Sequence, residues 1–214
     1  MFDMDGLLVD SEPLWFEAER VVMARLGGAW SEADQRVLVG GSMESTVGYL
    51  LSKAAMQPEP AVVASWLIEE MVRLLRTRPL AVMPGAIELV AEVRAAGLPY
   101  ALVTSSEPEV VDAVMARFPA GPFPVTVCAA DVIVAKPDPE GYLLAAAKLG
   151  VDPPYCIALE DSPNGVAAAE AAGYRTVAVP GVAPVPERPG RAVLSTLAGV
   201  TLAGLRTEAG LADS

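Results

Sequence analysis

The sequence predicts an α/β fold: a doubly wound, Rossmann-like parallel sheet core with an inserted all-helical cap domain. Two observations carry that prediction. Beyond residue 80, short Val/Leu/Ile-rich runs alternate with Ala-rich runs of helical length, the pattern of βαβ units around a parallel sheet. Residues 14–76, by contrast, show helical periodicity and no strand signal. Residues 1–13 and 77–214 are therefore assigned to the core, and 14–76 to the cap.

Taken in order, Phe2 ends a first, short buried strand. A helix follows with Leu14, Trp15, Ala18, Val21, Val22 and Leu26 on its apolar positions and stops at Gly27-Gly28. Ser31 is expected to cap a short helix over Glu32 to Val37, and Ser42 a second helix through Val47, Leu50, Leu51 and Ala54. Pro58 and Pro60 precede a helix reaching Leu75. Pro84-Gly85 opens the next, and Leu98 to Val103 reads as a strand. Ser106-Glu107-Pro108-Glu109 has the form of a capping box with an early proline, followed by a helix through Met115. Strands are then expected at Val125–Cys128, Tyr155–Leu159, Thr176–Val179 and, weakly, Ala192–Leu194. Helices begin at Asp138-Pro139 and Ser162-Pro163 and end at Gly150 and Gly173, and a helical stretch closes the chain.

Composition removes several function classes. Basic residues number 15 against 27 acidic ones, a net charge of −12, and no basic stripe stands out, which argues against a nucleic-acid partner. No apolar run is long enough to span a membrane, and a cytoplasmic location is expected. Cys128 and Cys156 fall in apolar runs and are read as buried structural thiols in a reducing compartment. The chain has no histidine, so imidazole-based catalysis and His-ligated metals are excluded.

The chemistry concentrates at the predicted strand ends, where ligands bind in doubly wound sheets. Asp3 and Asp5 close the first strand and share a pleat face if that strand continues through them; Gly6 then permits a turn. Thr104-Ser105-Ser106 ends a strand just before a helix N-terminus, where hydroxyls and free N–H groups cradle phosphate. Lys136 follows another strand, and Glu160-Asp161 ends a fourth. Three carboxylates, Asp3, Asp5 and Asp161, suit a hard divalent cation, Mg²⁺ first. A lysine beside a hydroxyl-lined anion site suits a phosphoryl group. Asp3 is the better placed nucleophile, with Asp5 as general acid and later base.

Four segments in order resemble the motifs of the haloacid dehalogenase-like phosphotransferases: Phe2-Asp3-Met4-Asp5-Gly6-Leu7-Leu8-Val9-Asp10-Ser11, Leu102-Val103-Thr104-Ser105, Lys136-Pro137-Asp138-Pro139 and Leu159-Glu160-Asp161-Ser162-Pro163-Asn164-Gly165. The helical insertion resembles the cap of the β-phosphoglucomutase and sugar-phosphatase-like branch. The run from Met4 to Trp15 is most similar to hexitol and deoxyglucose phosphate phosphatases. The resemblance implies that Asp3 is nucleophile and Mg²⁺ ligand, and that Asp5 is acid and base with its carbonyl on the metal. It implies that Thr104 and the Ser105 amide hold phosphate, and that Lys136 neutralises that phosphate and pairs with Asp3. Asp161 completes the metal site with Glu160 beside it. It also implies a cis Lys136–Pro137 bond.

Two departures from the family pattern matter. Only Met1 and Phe2 precede Asp3, where members carry several apolar residues: either the sequence begins inside the first strand, which would leave Asp3 beside a flexible, charged terminus, or that strand is short and its neighbours poorly paired. Trp15 stands where β-phosphoglucomutases have a cap histidine, and Met43-Glu44 stand near their cap arginine. With no cap cation for a second phosphate, the expected activity is Mg²⁺-dependent hydrolysis of a small sugar or polyol phosphate by a monomer. A phosphosugar mutase and a non-catalytic phosphometabolite-binding protein are the alternatives. A dehalogenase would not need Asp5. Trp66 is assigned to the core, and Trp15 is left open between core and substrate platform.

Overall fold

The structure, a computed structural model, describes residues 1–38, 40–188 and 191–211; Ala212 to Ser214 of the segment assigned to the core lie outside them. Among these residues, five strands and one bridging residue build a parallel sheet. Strand β1 (Ala101–Val103) pairs with β2 (Val125–Val127), while β3 (Ile157–Glu160) pairs with β4 (Arg175–Ala178) and β4 with β5 (Ala192–Val193). Phe2 joins the two ladders by bridging Leu102 on one side and Leu159 on the other, giving the order β2–β1–Phe2–β3–β4–β5. The poor pairing expected there is not found. Phe2 N–H donates to the Ala101 carbonyl, its carbonyl accepts from Val103, and the Met1 carbonyl accepts from Leu159. Neighbours on both sides satisfy this backbone.

Side chains alternate across the sheet as the pleat requires. Phe2, Leu102 and Leu159 face a cluster with Leu89 and Val90 of α5 (Ala86–Ala95), Val110 and Val114 of α6 (Pro108–Met115) and Leu205 of α9 (Leu202–Glu208). Ala101, Val103 and Ala158 face the opposite cluster, with Tyr142 and Ala145 of α7 (Glu140–Leu149) and Ala168 and Ala169 of α8 (Pro163–Ala171).

Between the Phe2 bridge and α5, the described residues form four helices and no strand: α1 (Glu12–Arg25), α2 (Glu32–Leu38), α3 (Met43–Lys53) and α4 (Pro60–Thr77). They form the helical cap, around Val22, Met23, Leu26, Val47, Leu50, Val63 and Leu67. Helix α4 serves both bodies: Val63 and Leu67 fill the cap cluster, while Met71 and Leu75, one and two turns on, enter the main core. Truncating Leu67, fully buried, to alanine is expected to cost about 2–5 kcal/mol.

Several local expectations change. Ser42 and Ser162 cap helices, accepting from the N–H of Ser45 and Gly165. Ser31 stands just before α2, and its hydroxyl and N–H both donate to the Asp34 carboxylate three residues on, the arm of a capping box that runs back from the helix. The capping box at Ser106 is absent, because Glu107 is the N-cap residue and Ser106 turns elsewhere. Leu98–Tyr100 is not strand, since the Leu98 N–H closes the preceding helix on Val93. Tyr155 belongs to a 3₁₀ turn, so β3 starts at Ile157. Cys128 is buried, but Cys156 is only half-buried at the end of that turn. Trp66 is likewise half-buried, packed on the cap cluster with the Arg25 guanidinium 4.5 Å above its ring.

Candidate active site

Four adjacent strand ends deliver the site. Asp3 follows the Phe2 bridge, Thr104 follows β1, Lys136 lies in the loop after β2, and Glu160 and Asp161 end β3. The Lys136–Pro137 bond is cis. Lys136 Nζ spends its donors on three strands at once: Asp3 Oδ1 at 2.6 Å, Glu160 Oε1 at 2.6 Å and the Val103 carbonyl at 2.8 Å. Burial alone would lower this lysine, but the facing Asp3 and Glu160 carboxylates outweigh it and hold the ammonium above its usual value.

One ammonium does not neutralise the site. Ligand oxygens of Asp3, Glu160 and Asp161 lie within 4.8 Å of one another, all in buried residues. Burial, then the charge of Glu160, pushes Asp3 up to about 8 in spite of Lys136. Burial, then Asp3 and Glu160, pushes Asp161 up to about 9. Oxygen donors carrying excess negative charge in a buried space fit a hard divalent cation. Glu160 Oε1 is committed to Lys136 and to the Tyr142 hydroxyl at 2.5 Å; Oε2 is buried without a hydrogen-bond partner among the described residues. Gly6 completes the enclosure. Its φ is +78°, and a Cβ there would overlap the Asp161 carboxylate.

Asp5 faces this group from the turn and belongs to a different network. Ser11 Oγ donates to Oδ1 at 2.5 Å and Trp15 Nε1 at 3.4 Å. Ser106 Oγ donates to Oδ2 at 2.7 Å and Thr104 Oγ1 at 3.4 Å. Donors from the turn, α1 and the end of β1 thus fix both oxygens. Thr104 Oγ1 also accepts from the Ser106 N–H at 3.0 Å, which closes the loop on itself.

Every site residue expected from the sequence lines or underlies one cavity: Asp3, Asp5, Thr104, Ser105, Lys136 and Asp161 line it, and Glu160 lies directly behind, fully buried. Sequence reasoning missed Ser106, Ser11 and Tyr142 as partners of these groups. The hydroxyl run 104–106 carried a signal for the first; Tyr142 carried none, since only the packing of α7 brings it to Glu160. The opposite wall comes from the cap, with Glu12, Trp15, Glu19, Gln35, Met43 and Thr46. Trp15 is thereby placed between core and cavity, half-buried, packed against the main core and lining the cavity. The cap loop is tied down where Asn164 Nδ2 donates to the Gly40 carbonyl at 2.9 Å.

The fold and site define a Rossmann-like enzyme whose carboxylates converge on one lysine under a helical cap. The chain belongs to the haloacid dehalogenase-like hydrolase family, whose sequence model matches residues 1–173. It is 38% identical over 201 residues to hexitol phosphatase B of Escherichia coli O157:H7, covering 92% of this chain and 89% of that one. It is 34% identical over 197 residues to hexitol phosphatase A of Escherichia coli strain K12, covering 87% and 84%. Among solved structures, CbbY from Rhodobacter sphaeroides in complex with phosphate superposes with a TM-score of 0.87 at 32% identity, covering 95% of this chain and 96% of that one. A mutant of the same protein in complex with xylulose-(1,5)bisphosphate gives a TM-score of 0.88 at 31% identity over the same shares. No helix among the described residues is long and apolar enough to cross a membrane.

Proposed function

We propose that this chain, a hydrolase of that family, is a Mg²⁺-dependent phosphatase acting on a monophosphate ester of a sugar or polyol, with its core in 1–13 and 77–214 and its cap in 14–76. The observation that carries this is the bridge from Lys136 to Asp3 and Glu160, with Asp161 alongside and Asp5 opposite. Asp3 Oδ1 is pinned by Lys136, which orients the carboxylate and leaves its second oxygen for attack on phosphorus. As the Asp3 O–P bond forms and the ester O–P bond breaks, a proton passes from Asp5 to the leaving oxygen. Asp5 then takes a proton from the water whose oxygen displaces phosphate from Asp3, and both carboxylates are restored. Thr104 and the Ser105 amide hold the phosphoryl oxygens, and the Lys136 ammonium, its donors on Asp3, Glu160 and Val103, neutralises their charge. Asp3, Asp161 and the Asp5 carbonyl, with Glu160 as a further ligand, would hold Mg²⁺, which supplies charge neutralisation at the phosphoryl group. The cap excludes bulk water.

Hydrolysis is favoured over a mutase because Lys136 is the one cation among the described residues lining the cavity, and its donors are already engaged. The test is phosphate release from sugar, polyol and small-acid phosphates with Mg²⁺ or chelator, beside Asp3→Asn. Release that requires Mg²⁺ and disappears in Asp3→Asn is expected. Release that survives Asp3→Asn would overturn the assignment of the nucleophile. Acceleration of hexose 1-phosphate conversion by a hexose bisphosphate would restore the mutase.

A further inference from the structure

The cap wall of the cavity carries a carboxylate that the proposed reaction does not use. Glu19 lies on α1 in line with Glu12 and Trp15, at spacings of seven and four residues, so one helix face presents all three to the cavity. Its exposure is 4%, a depth at which ionisable side chains are ordinarily paired. Oε2 accepts from Trp30 Nε1 at 3.0 Å; Oε1 has no hydrogen-bond partner among the described residues. Glu12 is built alike, with Oε2 accepting from Gln35 Nε2 at 3.2 Å while that amide also donates to the Glu12 carbonyl at 2.8 Å. No cationic side chain from the cap lines this wall among the described residues. A wall of anchored, half-satisfied acceptors has open places for hydroxyl donors and repels any further anion.

We propose that Glu19, supported by Glu12, is a specificity-determining residue that selects leaving groups that are neutral and hydroxyl-bearing, and rejects those carrying a carboxylate or a second phosphate. The proposal rests on the reading that a phosphate ester occupies this site. Its physical basis is asymmetric. A hydroxyl donated to a carboxylate forms a charge-assisted hydrogen bond, and an anion placed against buried carboxylates leaves them unpaired and opposed.

The test uses two esters of equal length and stereochemistry that differ at one end: a hexitol 6-phosphate, ending in a hydroxymethyl group, and the corresponding aldonate 6-phosphate, ending in a carboxylate. Calorimetric binding at pH 8 to the Asp3→Asn protein reads selection without turnover; kcat/KM of the unmutated protein reads it with turnover. The hexitol ester is expected to bind at least tenfold more tightly than the aldonate ester. Glu19→Gln in the same background is expected to shrink that ratio at least fivefold, and Glu12→Gln to move it the same way, each with a cooperative melt confirming the fold. Equal binding of both esters, binding of neither, or a ratio unmoved by Glu19→Gln would each overturn the proposal. Selective binding without Mg²⁺-dependent release by the unmutated protein would instead remove the phosphatase and leave the selection standing.

Discussion

The two walls of the cavity treat negative charge in opposite ways. On the core side, Asp3 and Glu160 share Lys136, and Tyr142 adds a hydroxyl to Glu160. On the cap side, Glu12 and Glu19 have only neutral side-chain partners among the described residues, Gln35 and Trp30. Burial raises Glu12 to about 7, with Asp5 and Asp10 adding to it, and raises Glu19 to about 7 against the Trp30 hydrogen bond. The core wall is thus cross-linked for chemistry, and the cap wall is left short of donors. Catalysis and selection demand different electrostatics even across a single cavity. A reacting phosphoryl group needs fixed positive charge, whereas a polyol needs acceptors free to bind it.

The largest effect expected is from breaking the core wall. Lys136→Met removes its one cation and leaves Asp3 and Glu160 facing each other. Phosphate release should fall by about 10²–10⁴-fold, and the buried pair, once broken, should cost about 3–5 kcal/mol, read by denaturant melts. Retained activity would mean that Lys136 is not part of the phosphate site. Tyr142→Phe is gentler: it removes one hydrogen bond to a charged group, about 1.5–3 kcal/mol, while Lys136 still holds Glu160. A Tm unchanged by this variant would show that Tyr142 does not support Glu160.

The cap wall should respond with the opposite sign. Glu19 rises from 4.5 to about 7 in the folded protein, so folding favours its protonated form. Below pH 4.5 both states are protonated and the residue costs nothing. As pH climbs towards 7, the folded protein must either keep the proton or bury a charge, and stability is lost, levelling off above pH 7. Glu19→Gln keeps an acceptor for Trp30 and removes that loss. The variant should therefore match the parent at pH 4.5 and exceed it at pH 8 by roughly 1–2 kcal/mol, below the ceiling of about 3 kcal/mol that the shift implies. Equal melting curves at pH 8 would mean that Glu19 carries no burial penalty. The smallest effect belongs to the tie between walls. Asn164→Ala loses the hydrogen bond to the Gly40 carbonyl, and KM should rise about 2–5-fold with kcat nearly unchanged. A fall in kcat at constant KM would place Asn164 in the chemistry instead.

The residue set and its placement along the chain are legible in the amino-acid order alone. Phe2-Asp3-Met4-Asp5, Thr104-Ser105, Lys136 and Glu160-Asp161 each follow an apolar run and precede a helix or turn, and a parallel sheet carries all such ends to one side. The helical cap was legible because its apolar residues recur every three or four positions with no alternating run among them. Which of these residues pair with one another depends on how the chain folds. Lys136 meets Asp3 across 133 residues and Glu160 across 24, a consequence of Phe2 lying between β1 and β3. Ser106, with the sequence form of a helix cap, donates a hydrogen bond to Asp5, 101 residues away, because a carboxylate oxygen there is the stronger acceptor. Glu19 is one of several acidic residues on α1 until packing against Trp30 buries it at the cavity. Local pattern fixes which way a side chain points on its own element; the burial and partner that give it a chemical role come from elements far away in the chain.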